Sequence, residues 1–163
     1  MDVELETRLK LQVRVQDLLA RYVQAIDADK LESWPAFFTE TCRYVVTTAE
    51  NVERKLPLGL IYATSRAMLH DRVRALRDAN VYEAQHYRHV VGPPLLSGLE
   101  GAAVSAETNF MVARIMQSGD TALFATGRYL DRIVLEGGEG PLFSEKLVIL
   151  DSRRIDTLLA IPL

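Results

Sequence analysis

The side chains best suited to moving a proton near neutral pH are three histidines, His70, His86 and His89. His86 and His89 have the spacing H-x-x-H, which on a helix would place both imidazoles on one face, within reach of one metal ion. Val90 and Val91 follow them, and β-branched residues favour a strand, where positions three apart point to opposite faces. We therefore interpret the pair as hydrogen-bonding or protein-contact residues rather than as metal ligands.

Two other residue pairs could do acid–base chemistry. His70 and Asp71 are adjacent in a predicted helix, and a carboxylate can orient an imidazole. Adjacent helix positions do not face each other, so a solvated charged face, or a protein contact including Arg72, explains them better. Asp27 and Asp29 could be paired carboxylates, but they end one predicted helix and begin the next, and helix capping accounts for both.

Tyr87, Arg88 and His89 form a polar cluster with a possible binding role. Because a guanidinium recognises carboxylates through a two-pronged fork, Arg88 could bind an acidic substrate or an acidic residue of a partner. If the chain were an enzyme by itself, His89 and Asp131 would be its candidate acid and base, held in an apolar cavity with shifted pKa values.

The composition is typical of one folded domain, which we expect to span residues 1–163: 48% of the residues are hydrophobic and 25% are charged. A formal charge of −3 argues against nucleic-acid binding. No stretch approaches the ~20 apolar residues of a membrane span. The acidic start of the chain differs from a cationic signal peptide, so we expect a cytoplasmic protein that binds no membrane.

Cys42 is the only cysteine, and this limits the cofactors that the chain could hold. A Rieske cluster needs two cysteines and two histidines, and a structural zinc site usually needs four Cys or His ligands. A facial triad of two histidines and a carboxylate is arithmetically possible and depends on the H-x-x-H pair. We expect no cofactor and no metal in this chain, and Cys42 fits a small buried apolar residue.

Hydrophobic periodicity predicts helices first and strands afterwards. Apolar residues at three- and four-residue steps predict a long helix over 11–26 and another over 65–80, with Ser65 as its N-cap. Trp34, Phe37 and Phe38 have the spacing of the buried face of a short helix between them. A stretch rich in Tyr, Val and Thr predicts a strand over 42–49, and a period-two pattern predicts one over 104–112. Turns at 118–120 and 136–140 introduce two more, over 123–135 and 142–151, and the last three strands form an antiparallel meander. The fold class is therefore α+β, with helices on one face of a curved antiparallel sheet.

Seven short segments, in order along the chain, carry a resemblance to one family. They are WPAFFTETCRY at 34–44, ENVER at 50–54, LPLGLIY at 56–62, MLHDR at 68–72, ANVY at 79–82, YRH at 87–89 and LAIPL at 159–163. With them the chain resembles the small, or β, subunit of bacterial aromatic-ring-hydroxylating oxygenases, in particular those acting on aromatic acids such as terephthalate or salicylate. The resemblance implies the cone-shaped NTF2-like (cystatin-like) fold.

The resemblance also implies a division of labour between two chains. In this family a large α subunit carries the Rieske iron–sulfur cluster and the mononuclear Fe(II), and three α subunits assemble with a trimer of structural β subunits. We therefore expect a small subunit that has no catalytic residue and whose partner is an α subunit. Tyr87, Arg88, His89 and Arg72 are the candidate interface residues.

A second hypothesis remains open, because one fold hosts unrelated chemistries. The chain could be a self-contained isomerase, dehydratase or cyclase, or a small-ligand-binding protein. Either would place His89 or Asp131 in a closed apolar pocket. A meeting of His89 with a carboxylate in such a pocket would favour this hypothesis.

Overall fold

The computed structural model describes residues 3–79, 83–136, 140–154 and 159–163. Its helices are α1 (Val3–Asp27), a 3-10 helix (Leu31–Phe37), α2 (Ala49–Glu53) and α3 (Arg66–Ala79). Its strands are β1 (Phe38–Thr48), β2 (Ile61–Ala63), β3 (Gln85–Val91), β4 (Leu95–Glu100), β5 (Ala103–Met116), β6 (Thr121–Val134) and β7 (Leu142–Leu150). No helix among the described ranges is long and apolar enough to cross a membrane.

The two long helices follow their predicted periodicity. Leu18, Tyr22 and Ile26, at steps of four on α1, are all buried, as one apolar helix face requires. Helix α3 begins one residue after Ser65, whose hydroxyl accepts a hydrogen bond from the amide of Met68 at 3.3 Å. Ser65 therefore caps α3 as predicted.

The region between α1 and β1 corrects two predictions. The N-cap of the 3-10 helix is Lys30, which makes no side-chain cap bond, so Asp27 and Asp29 do not cap it. Phe38 belongs to β1 rather than to a helix face, and β1 starts four residues before the predicted strand. Pro35 has no amide to donate, so it weakens any continuation of a regular helix, and the chain is extended from Phe38 onward.

The strands form one curved sheet in the order β2-β1-β7-β6-β5-β3, and β4 also pairs with β5. The predicted meander of β5, β6 and β7 is confirmed as antiparallel. The sheet is mixed rather than antiparallel as predicted, because β1 pairs with β7 in parallel. The pattern of β1 fits either direction, since alternation fixes which face is buried and not which neighbour a strand takes.

Irregular pairing curves the sheet. Opposite Val112 and Ala113 of β5, strand β6 has one extra residue, Phe124. Opposite Arg132 and Ile133 of β6, strand β7 has one extra residue, Ser144, and such bulges bend a strand and increase its twist. At Gly127 strand β6 has no space for a side chain, because a Cβ there would lie 2.1 Å from the main-chain oxygen of Ile149 in β7. Any other residue at this position would push the two strands apart.

Aromatic rings fill much of the space between the helices and the inner, concave face of the sheet. Tyr22 contacts Phe38 and Phe143 edge to face, and Trp34 contacts Tyr44 in the same geometry. A second contact stacks Phe110 on Tyr129, with ring centroids 4.3 Å apart. We call this set of seven rings the aromatic cluster.

Candidate functional site

Asp27 and His89 form a buried polar pair behind β3. Asp27 is the last residue of α1, and its Oδ1 lies 2.6 Å from His89 Nδ1, while the His89 main-chain N–H donates to Oδ2 at 2.8 Å. The side chains are 5% and 0% exposed. A carboxylate in its ionised form only accepts hydrogen bonds, and in that form Nδ1 is the donor of this contact. The opposite ring nitrogen, Nε2, is buried and has no hydrogen-bond partner among the described residues.

The alternation of β3 separates the predicted cluster into two sets. His86 and Arg88 are exposed, whereas Tyr87 and His89 are buried. The two histidines of H-x-x-H therefore point to opposite faces, as the strand interpretation predicts. Within the described ranges, no three His, Cys, Asp or Glu side chains lie together as a possible metal site.

Asp131 is not the partner of His89, because it forms an ion pair with Lys146. Both of its carboxylate oxygens accept hydrogen bonds from Lys146 Nζ, at 3.0 and 3.1 Å, and both side chains are fully buried. The ammonium lies 3.7 Å from the ring centroid of Tyr129, 4.3 Å from that of Phe143 and 4.6 Å from that of Tyr22. Carboxylate and π faces together replace the lost water around this cation.

Burial governs the protonation of this ion pair. Loss of water raises the pKa of Asp131 to about 6, although the neighbouring Lys146 acts in the opposite direction. Burial likewise lowers the pKa of Lys146, against the attraction of Asp131. The pair lies on the inner face of β6 and β7, in contact with rings of the aromatic cluster.

Two tyrosine hydroxyls hold residues 159–163 at the inner face. Tyr22 Oη donates to the Leu163 main-chain oxygen at 2.7 Å, and Tyr44 Oη lies 3.1 Å from both the oxygen and the amide nitrogen of Leu163. Leu163 is fully buried. Burial raises the pKa of Tyr44 to about 12 and that of Tyr22 well above its ordinary value, so both hydroxyls keep their protons.

A groove of about 480 Å³ runs between α3, the edge strand β2 and residues 159–160. Arg72, a candidate interface residue, lines it and donates from Nη2 to the Leu159 oxygen at 2.8 Å. His70 and Asp71 are exposed on α3, and Asp71 pairs with Arg74 at 3.5 Å, as a solvated charged face predicts. They form no acid–base pair with each other.

Large apolar side chains surround this groove on the outside. Leu58, Leu60 and Tyr62 are each more than half exposed, and Met68 is 42% exposed. A second exposed pair, Val90 and Met111, lies directly across β3 and β5 on the convex face of the sheet. Apolar side chains exposed in groups are typical of surfaces that bind other proteins.

His89 contacts a carboxylate, but not that of Asp131, with which the sequence analysis had paired it. Its partner is Asp27, predicted as a cap, and the fallback pair of His89 and Asp131 is not formed. The groove on α3, and another of about 730 Å³ between α1 and β4, include neither Asp27 nor His89 in their linings. The Asp27–His89 pair therefore acts as a clamp between α1 and β3.

Comparison with known families identifies the class of this protein. Residues 21–157 match the model of the ring-hydroxylating β subunit family. The match covers most of the chain, including β1 and the complete meander, so the chain belongs to this family. It is a small subunit of an aromatic-ring-hydroxylating oxygenase, as the sequence segments indicated.

Individual relatives narrow the comparison. The chain is 42% identical over 152 residues to subunit beta 2 of the terminal oxygenase component of terephthalate 1,2-dioxygenase from a Comamonas species, covering 93% of this chain and 98% of that one. It is 35% identical over 155 residues to the small subunit of anthranilate 1,2-dioxygenase from Burkholderia cepacia, covering 95% and 96%.

A solved structure supports the fold. The crystal structure of a chain assigned as the β subunit of an aromatic-ring-hydroxylating dioxygenase from Novosphingobium aromaticivorans superposes with a TM-score of 0.88 at 38% identity, covering 96% of this chain and 99% of that one. The α+β, NTF2-like architecture is therefore confirmed.

Proposed function

We propose that this chain is the non-catalytic, structural subunit of its oxygenase, and that residues 1–163 form one NTF2-like domain. Its task is to hold large α subunits in register, in a cytoplasmic complex of three α and three β chains built on a β trimer. The observation that carries the proposal is the family match over 21–157, together with an inner face occupied by the aromatic cluster and the Lys146–Asp131 pair.

The donor atoms of this chain support a division of cofactors between two subunits. One cysteine does not provide the two that a Rieske cluster requires, and His86 and His89 lie on opposite faces of β3. We propose that the cluster and the mononuclear Fe(II) belong to the α subunit. The relatives named for terephthalate and anthranilate support an aromatic acid as the substrate of the complex.

A three-fold assembly requires two different, complementary patches on each β chain, because a ring closes only through heterologous contacts. The chain offers exposed apolar groups around the α3 groove and on the convex face at Val90 and Met111. Arg88 is exposed beside the second group, so among Tyr87, Arg88 and His89 it is the residue able to meet a partner directly. Buried Tyr87 and His89 would act by positioning β3, and Arg72 by lining the groove.

Co-purification tests this proposal. The tagged chain is expressed in its native host during growth on aromatic acids, and the eluate is analysed for co-eluting chains, iron and visible Rieske absorption. We expect a stoichiometric larger chain that carries both metal centres. Elution of the tagged chain alone, free of iron and able to convert a small molecule, would show that the proposal is wrong.

The interface is tested with Arg88→Glu, which reverses an exposed charge. We expect assembly with the α subunit, or of the β trimer, to weaken by roughly tenfold or more, with a changed dependence on salt. The matched control is Arg21→Glu, which alters an exposed arginine on α1 that pairs with Asp17. If both variants assembled equally well, Arg88 would not be part of the interface.

The Asp27–His89 pair favours one second candidate, a self-contained enzyme. A carboxylate that orients an imidazole with a free Nε2 is a general acid–base arrangement. In this chain Nε2 is buried, so a substrate would have to open the packing around it. Turnover by the purified chain alone, lost in Asp27→Asn and unchanged in Asp17→Asn, would establish that candidate.

A further inference from the structure

The groove between α3, β2 and residues 159–160 has the size and the lining of a small-molecule site. Its volume of about 480 Å³ lies within the roughly 300–1,000 Å³ that is typical of ligand pockets. Apolar side chains such as Ile61 and Leu76 form most of its walls. Asp71 and Arg72 are the charged residues in the described part of this lining. A ligand of the groove therefore needs an apolar body and a charged or polar group.

The two charges of the groove differ in how they are paired. Asp71 forms an ion pair with Arg74 at 3.5 Å. Arg72 donates from Nη2 to the main-chain oxygen of Leu159, and no carboxylate pairs with its guanidinium in the part of the chain that the structure describes. Its Nε is buried and has no hydrogen-bond partner among the same residues. The groove therefore contains a half-buried positive charge and N–H donors that the fold does not use.

A carboxylate is the group that complements this charge. A guanidinium binds both oxygens of a carboxylate through two parallel N–H groups, and such charge-assisted hydrogen bonds are about twice as strong as neutral ones. Their strength increases where water is partly excluded, as it is around half-buried Arg72. The hydrogen bond to Leu159 also holds the guanidinium in place before a ligand arrives, which reduces the entropy cost of binding.

The apolar walls of the groove favour an aromatic ring as the body of the ligand. Tyr62 and Met68 line the groove and are 57% and 42% exposed. A tyrosine ring packs face to face or edge to face on other rings, and a thioether sulfur makes favourable contacts with ring edges. Ala75 and Ala79 of α3 also line the groove, and their small side chains leave room for a flat molecule.

We propose that this groove is a binding site for an aromatic monocarboxylate, with the carboxylate on Arg72 and the ring between β2 and α3. Leu58 and Leu60 lie outside the groove lining, so they remain available for the protein contacts proposed above. The inference rests on the geometry of this chain and does not depend on its assembly with an α subunit.

The first test is a titration of the full chain with benzoate, followed by heteronuclear NMR of the backbone amides. We expect saturable shifts confined to β2, α3 and residues 159–160, with a dissociation constant of about 1 mM or lower. Benzamide is a neutral analogue of the same shape, and acetate has the charge without the ring, so each should bind roughly tenfold more weakly or worse. Benzamide binding as tight as that of benzoate, saturable shifts located elsewhere, or no saturable binding would overturn the proposal.

Two substitutions test the two parts of the site. Arg72→Met removes the charge and should weaken benzoate binding roughly tenfold or more, whereas Arg21→Met, which changes an exposed arginine of α1, should leave it unchanged. Because Arg72 also holds Leu159, a second variant leaves that contact intact. Ala75→Leu fills the groove with a residue that helices favour and should weaken binding by a similar factor. Its control is Ala67→Leu, at an exposed position of α3 outside the groove lining.

Unchanged benzoate binding in Arg72→Met or in Ala75→Leu would overturn the proposal. Failure of benzoate to bind, together with protection of β2 and α3 from hydrogen exchange in the assembled oxygenase, would also overturn it, because the groove would then be a protein contact.

Discussion

The carboxylate of Asp27 holds His89 at two points, the imidazole and the main-chain amide, although 62 residues separate them in the chain. The contact joins the end of α1 to β3, at the opposite end of the sheet order from β2. It fixes the helix across the concave face and satisfies a strand amide that has no neighbouring strand on that side. This contact therefore fixes the end of α1 to the edge strand β3 of the open sheet.

Replacing Asp27 by Ala should destabilise the fold by about 2–4 kcal/mol, because a buried amide and a buried imidazole lose their acceptor. The measurement is urea unfolding followed by circular dichroism. Asp17→Ala is the control: Asp17 is an exposed carboxylate of the same helix paired with Arg21, and its removal should change the unfolding free energy by no more than about 0.5 kcal/mol. Equal effects of the two substitutions would show that the Asp27–His89 contact is not formed in solution.

In the proposed structural role His89 holds β3 to Asp27, so replacing it by Ala should leave the chemical step of the assembled oxygenase nearly unchanged. Turnover per iron should stay within about twofold of wild type, while the complex dissociates or unfolds at lower temperature. His86→Ala changes an exposed histidine of the same strand and should alter neither turnover per iron nor the unfolding temperature of the isolated chain. A large loss of turnover in a fully assembled, iron-replete complex would contradict this expectation.

Lys146 and Asp131 should behave as a unit. Lys146→Met leaves a carboxylate buried without its cation and should destabilise the chain by about 3–5 kcal/mol, whereas the double variant Asp131→Leu/Lys146→Met should be near wild type or more stable. Chemical unfolding of wild type, both single variants and the double variant provides the comparison. Additive effects of the single changes would mean that the two side chains do not interact.

The Lys146–Asp131 pair should make the free energy of unfolding depend on pH. The folded-state pKa of Asp131, about 6, is above the value of an unfolded aspartate, so the folded chain binds the extra proton between about pH 4 and pH 6. Stability from this group therefore decreases as pH rises through that window. Relative to the double variant, wild type should lose unfolding free energy from pH 4 to pH 6; a gain over that range would reverse the assignment.

The parts of the fold with a regular side-chain period were predictable. Helices α1 and α3 and the meander have long apolar repeats. Helix α3 and the three strands lie within four residues of their predicted bounds, whereas α1 begins at Val3, eight residues before its predicted start. The short strands β2 and β4 have no such repeat: β2 has three residues, and β4 contains Gly98 and is mostly exposed. The alternation of apolar and polar side chains in β1 shows which face is buried. It does not show which strand pairs with β1, so the parallel pairing with β7 was not predictable.

The two buried polar pairs differ in how much the sequence shows of them. Asp131 is in phase with Tyr129 and Ile133, and Lys146 with Val148 and Leu150, so the alternation of each strand already places a charge on the inner face. Two opposite charges in such positions predict an ion pair once the strands are known to be neighbours. Asp27 has no comparable signal, because its role depends on where α1 meets a strand 62 residues away.

The parallel contact of β1 with β7 has a consequence for biosynthesis. Arg43 and Glu145 are partners in this pairing and lie 102 residues apart, so β1 leaves the ribosome long before β7 has been synthesised. Until then one edge of β1 is unprotected, and exposed strand edges in a nascent chain invite aggregation. Non-local pairing of this kind also slows folding. Productive folding of this chain therefore has to wait until translation has passed β7, and a chaperone that shields β1 during this wait should increase its yield.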